Sequence, residues 1–223
     1  MMNDSKLTTR QINLATCAAL EAQGDIERLD KALRKALDEG VTVNELKEAF
    51  SQLYAYTGFP RSLNALNLLK TVLDERKASG INDNEGKPWQ RPTLWDNAEE
   101  ALLRGTEVQT RLCGGVPYNF EFSPQNDHYL KAHLFGDIFA SDQLSESDRE
   151  IVTVAALSAM KGVERQLASH KRGAVMMGNT AEQVEQLCHY LSVNGLSQSD
   201  GAADACYGEW PKGNPNTRYA QYF

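Results

Sequence analysis

The sequence is short of positive charge. Its 23 Lys and Arg stand against 30 Asp and Glu, a formal net charge of −7 and a pI of about 5.2. No basic field is present to release counterions from phosphates, which excludes an electrostatic nucleic-acid binder and disfavours anionic membranes. No apolar run approaches the roughly 18 residues of a bilayer span. The opening MMNDSKLTTRQINLATCAAL lacks the apolar stretch of a secretory signal. Cysteine is scarce and scattered: Cys17, Cys113, Cys188 and Cys206 form no Cys-x-x-Cys pair. That pattern suits reduced thiols better than a disulfide framework or a zinc knuckle, and a cytoplasmic protein is expected. Histidine is equally sparse. His128 and His189 have no companions at metal-ligand spacing, and Cys188 and His189 are adjacent, about 100° apart on a helix. No metal and no cofactor is expected. Strand-like alternation between hairpin turns is also missing, which leaves an all-α fold.

What the chain does have is helical periodicity. Residues 8–22, 26–39, 43–56 and 61–77 carry apolar positions at three-to-four spacing, as do 97–112, 126–139, 146–161, 164–177 and 181–192. The polar stretch GINDNEGKPWQRP (80–92) reads as a linker or surface loop, and CGGVPYNFEFSP (113–124) as a second irregular one. The aromatics of NPNTRYAQYF (214–223) suggest docking on a neighbour. Sliding the sequence by 138 positions exposes a repeat. Residues 14–42 then lie without a gap over the stretch that starts at Val152: Gly24 meets Gly162, Leu29 meets Leu167, Gly40 meets Gly178 and Thr42 meets Thr180. Gly40 and Gly178 suit the left-handed end of a helix. Thr42 with Glu45, and Thr180 with Gln183, have the spacing of a capping box. The repeated unit is therefore helix, glycine stop, threonine start, helix. The expected organisation is a first core at 1–80, a connecting segment at 81–144 and a second core at 145–223.

Three segments resemble the carboxymuconolactone decarboxylase family, which also contains the alkylhydroperoxidase D-like proteins. GVTVNELKEAFSQLYAYTGFPRSLNAL (40–66) resembles the family's G-x-T, acidic helix, Y-x-G-x-P and small-residue helix. YLKAHLFGDIFASDQLSESDREIVTVAAL (129–157) resembles its FG turn and Arg-Glu-containing helix. VERQLASHKRGAVMMGNTAEQ (163–183) places His170 eight residues before Gly178. The resemblance implies an all-α tandem protein with a helical bundle of the alkylhydroperoxidase D-like type, a small-molecule substrate, and a homo-oligomer built as a trimer or hexamer-like ring.

The family's peroxidase members carry a Cys-x-x-Cys pair four residues before the histidine. Counting back from His170 reaches Val163 and Gln166, and in the first half Asp25 and Arg28. Both pairs are absent, so peroxiredoxin-like activity is disfavoured. Decarboxylase members keep the histidine without the cysteines. Loss of CO2 from a carboxylated lactone needs a cation to hold carboxylates and an acid to protonate carbon. The resemblance makes His170 the acid, with Glu48 and Glu150 as the other catalytic candidates. Arg149 offers a planar fork for a carboxylate, and Tyr56 and His133 are further substrate-binding candidates. The plainer readings are a core histidine, packing for Tyr56, a surface His133, a solvated Glu48 and a Ser147–Glu150 capping box at a helix start. Met176 and Met177 read as core filler. Each half departs from the pattern. The first has Ala32 where the histidine would stand; the second has Gln186 for the glutamate, and V-N-G-L (193–196) for Y-x-G-x-P. One composite site per chain is the resulting expectation: a cofactor-independent lyase on a carboxylated lactone or similar acid, or else a non-catalytic oligomeric binding protein.

Overall fold

The computed structural model describes residues 6–198. Among them the chain is all-α and has no strand: α1 (Thr9–Gln23), α2 (Ile26–Asp38), α3 (Val43–Thr57), α4 (Phe59–Ala78), a 3-10 turn (Thr93–Asp96), α5 (Ala98–Leu112), α6 (Pro124–His128), a π-helix (Tyr129–Ile138), α7 (Glu146–Ser158), α8 (Glu164–Met176) and α9 (Ala181–Val193). None of these helices is long and apolar enough to cross a membrane.

The repeat is visible in three dimensions. The same offset that aligns the sequences carries α2 onto α8, both 13 residues long, and the start of α3 onto the start of α9. Both capping boxes form. Glu45 N–H donates to the Thr42 hydroxyl, and Gln183 N–H to that of Thr180, while the N3 side chains bond back to the cap backbones. Each cap contributes about 1 kcal/mol. Gly40 and Gly178 take positive φ, 90° and 111°, where a side chain is strained. The start of α7 differs from expectation: Ser145 is its cap, accepting from Asp148 N–H at 3.1 Å. Glu150 therefore takes no part in a capping box with Ser147 and turns inward instead.

α1 packs against α7, and from Asp148 to Ser158 every residue of α7 is buried, as befits a central helix. The main core is continuous. It joins Leu14, Leu33, Phe50 and Leu53 of the first half to Ile151, Val154 and Leu187 of the second, so both repeats share one interior.

The segment between the repeats does two jobs. Its first part is a strap. Val43 and Asn44, whose N–H groups are orphan donors at the start of α3, donate to the carbonyls of Asn84 and Glu85 at 3.0 and 3.1 Å. The strap passes so close that a Cβ on Gly86 would lie 2.4 Å from Thr42 Oγ1. Its second part is a hairpin of α5 and the π-helix. The helix expected at 126–139 is real, but most of it is wound as a π-helix, a rare form often found near functional sites. A Cβ on Gly105 would meet the Lys131 carbonyl oxygen at 1.6 Å, and one on Gly136 the Ala101 carbonyl oxygen at 2.4 Å. The hairpin seats on a second, small core of Val108, Leu112, Leu134, Phe135, Phe139 and Met177, against which Tyr56 also packs. The aromatic tail at 214–223 and Cys206 lie outside the described residues.

Candidate functional site

α3 presents Glu48, Gln52 and Tyr56 at four-residue spacing, which puts them on one helix face. That face meets α7, where Arg149, Glu150 and Thr153 are all fully buried. Arg149 Nη2 donates to Glu48 Oε1 at 2.5 Å and to the Ser141 carbonyl at 2.8 Å; Nη1 donates to Gln52 Oε1 at 2.8 Å. Gln52 Nε2 returns bonds to the Arg149 carbonyl and to Thr153 Oγ1, at 3.1 and 2.8 Å. The Phe139 ring lies under the guanidinium, 5.4 Å from its centre. A buried cation is tolerated only when neutralised and hydrogen-bonded, and this one is both. Both terminal nitrogens of the fork are therefore already engaged within the protein.

Glu150 points the other way, toward α8. Its Oε2 is 2.8 Å from His170 Nδ1. Neither side chain reaches the surface: Glu150 is fully buried and His170 is 4 % exposed. Glu150 Oε1 is buried with no hydrogen-bond partner, and such buried unpaired oxygens are few in native structures. The Tyr56 ring meets the His170 ring edge-on, with centroids 5.5 Å apart. The Tyr56 hydroxyl lies beside Thr153 but forms no hydrogen bond of normal geometry. Burial, reinforced by the Glu150 charge, pushes its phenol well above the usual value, so Tyr56 stays a donor throughout the neutral range.

The structure thus brings together five of the six sequence candidates: Glu48, Tyr56, Arg149, Glu150 and His170. His133 is not among them. It is exposed on the π-helix, bonded to Asp137 at 2.8 Å and beside Tyr54. Gln52, Thr153 and Ser141 complete the network and were not singled out from sequence. The signal available was spacing: Gln52 sits midway between Glu48 and Tyr56, and Thr153 lies one turn after Arg149.

At the position related by the repeat, Ile12 stands for Glu150 and Ala32 for His170. Both pack against the apolar core. Gln186, the counterpart of Glu48, accepts from Leu7 N–H, and Tyr190, the counterpart of Gln52, contacts Thr16 Oγ1 at 3.0 Å. The equivalent place is thus filled by packing and ordinary hydrogen bonds.

The thiols lie elsewhere. Val163 is half-buried against the core and Gln166 is exposed. Burial pushes the Cys17 thiol up to about 12, and the Cys113 thiol to about 12 despite Arg172 nearby; neither is a thiolate at neutral pH. Among the described residues, no three His, Cys, Asp or Glu side chains are grouped to hold a metal ion. Two open surface cavities, of about 420 and 390 Å³, lie along α5 and beside residues 119–128, and no residue of the cluster lines either.

The model of the carboxymuconolactone decarboxylase family matches residues 1–71 and 124–196, one stretch over each repeat. No curated protein matches the chain.

Proposed function

This chain belongs to the carboxymuconolactone decarboxylase family, and from that membership we propose that it is a cofactor-independent lyase acting on a carboxylated lactone or similar small acid. The observation that carries the reading is the buried Glu150–His170 pair, with one Glu150 oxygen left without a partner. Glu150 holds Nδ1 and so fixes the orientation of the imidazole. In the reaction, the C–C bond to the departing carboxylate breaks. Its electron pair passes into the unsaturated lactone carbonyl, and His170 delivers a proton to carbon. Tyr56, protonated beside His170, is the hydrogen-bond donor offered to the substrate. Arg149 serves through its field and through holding α3 on α7, since both ends of its fork are occupied. His133 takes no part. The substrate is a small molecule, and the setting proposed is the cytoplasm. Phe59 and Leu63, 60 % and 52 % exposed on α4, favour a homo-oligomer, which light scattering would size.

The test is a panel of unsaturated lactones bearing a carboxylate, with release of CO2 as the readout. His170→Ala and Glu150→Gln should each lower kcat/KM by at least about 100-fold while the helical circular dichroism is kept. Full activity in His170→Ala would overturn the assignment. A wild-type protein that binds such acids without turnover would favour a binding protein instead.

A further inference from the structure

Glu21 is a buried acid that the proposed chemistry does not use. It lies near the end of α1, 1 % exposed. Its Oε1 is 2.8 Å from Thr57 Oγ1, while its Oε2 is buried and has no hydrogen-bond partner. The same Thr57 hydroxyl is 2.9 Å from the Leu53 carbonyl. The charged group acting on Glu21 is Arg61, on α4, whose Nε lies 3.8 Å from where a Cβ on Gly24 would stand. Asp25, close in sequence, is turned to its own helix and caps α2.

These contacts can be settled by counting protons. A hydroxyl has one proton to give, and a backbone carbonyl can only accept. If Thr57 gives its proton to Leu53, the Glu21 contact needs a proton from Glu21, which is then a neutral acid donating to Thr57. If Thr57 turns to Glu21 instead, the carboxylate is ionised with one donor and one bare oxygen in apolar surroundings. The first arrangement gives each of the two contacts its own proton and leaves Oε2 bare but uncharged; the second strands charge where it is costly. Burial accordingly pushes the Glu21 carboxyl up to about 7, against smaller opposing pulls from Thr57 and Arg61. Both arrangements are within reach near neutral pH.

Thr57 ends α3 and directly follows Tyr56, whose ring abuts His170. We propose that Glu21 is a proton-gated positioning residue for the His170 site. As a neutral acid it leaves Thr57 bonded to Leu53 and holds the last turn of α3, with Tyr56, against His170. On losing its proton to solvent it draws the Thr57 hydroxyl from Leu53 and Arg61 toward α1, and the turn that carries Tyr56 shifts. The inference rests on Tyr56 belonging to the reactive site, but its test needs no turnover.

Infrared difference spectra of wild type against Glu21→Gln should show the carbonyl stretch of a buried carboxylic acid at about pH 5.5, lost by about pH 8.5. With ¹³C-labelled tyrosine rings, the Tyr56 signal, assigned through Tyr56→Phe, should show an inflection near 7 in wild type and none in Glu21→Gln. Thr57→Val keeps the acid but removes the hydroxyl through which it acts. The acid band should then persist while the Tyr56 inflection is lost, and this serves as the second variant if Glu21→Gln folds poorly; an inflection near 7 that survives in Thr57→Val would overturn the coupling. Absence of the acid band overturns the proton assignment. An unchanged Tyr56 inflection in Glu21→Gln overturns the coupling. If no lactone is turned over, the lyase reading falls while these readouts still decide the role of Glu21.

Discussion

The Arg149–Glu48 pair offers the most direct test of how the two repeats are joined. Arg149 is fully buried, Glu48 is 7 % exposed, and their closest atoms are 2.5 Å apart. Removing one partner of such a pair strands the other as a buried lone charge, at a cost of roughly 3–5 kcal/mol. Glu48→Gln should fall in that range. Arg149→Met should cost more, because the Gln52 Oε1 and Ser141 carbonyl acceptors also lose their donors, at about 1 kcal/mol each. Replacing both together removes both charges and should cost about 2 kcal/mol or less, since apolar replacement of a buried ion pair is often close to neutral. The coupling energy of the double-mutant cycle is then at least about 6 kcal/mol. Urea unfolding followed by circular dichroism measures all four proteins, provided the denaturant slopes agree. Additivity within about 0.5 kcal/mol would refute the reasoning, because it would mean that the two charges are solvated independently.

Glu21 gives a pH-dependence of stability. Its folded-state value of about 7 lies above the ordinary 4.5, so the folded protein binds this proton more tightly than the unfolded chain. The stabilisation is fully present below about 4.5 and is lost as pH rises through about 7, amounting to about 3 kcal/mol. Wild type should therefore lose about that much more stability than Glu21→Gln between about pH 5 and pH 8; equal losses in urea melts would contradict it. Gly105→Ala should destabilise the protein by roughly 3 kcal/mol or more, since the new methyl meets backbone at 1.6 Å and no rotamer can relieve it. Hydrogen exchange should rise first in α5 and the π-helix; a variant with wild-type protection there would show that the two helices are not seated as described.

Much of the fold was legible because its signals are local. Helix stops at Gly40 and Gly178, capping boxes at Thr42 and Thr180, and apolar spacing are written within a few residues of where they act. The π-helix was not legible, since residues 129–138 carry apolar spacing that an α-helix would share, and the close approach at Gly105 and Gly136 across the hairpin is a contact between distant segments. His170 and Glu150 were picked out by family resemblance, and their contact joins residues 20 apart in sequence. The internal partners of the Arg149 fork were not legible, because Gln52 and Glu48 come from 97 and 101 residues away. Glu21 left one faint trace, an acid in the small apolar run of ATCAALEAQ, but its consequence depends on a threonine 36 residues later.

The shared interior turns the polypeptide into something like a lock whose bolt and keeper are made in separate shops. A cut between Gln90 and Arg91, past the strap, would leave Glu48, Gln52 and Tyr56 on one piece and Arg149, Glu150 and His170 on the other. Neither piece could assemble the buried cluster alone, and each would expose the apolar face that the other covers. Such fragments would be natural material for a split reporter, in which two proteins brought together by an unrelated event restore one shared interior.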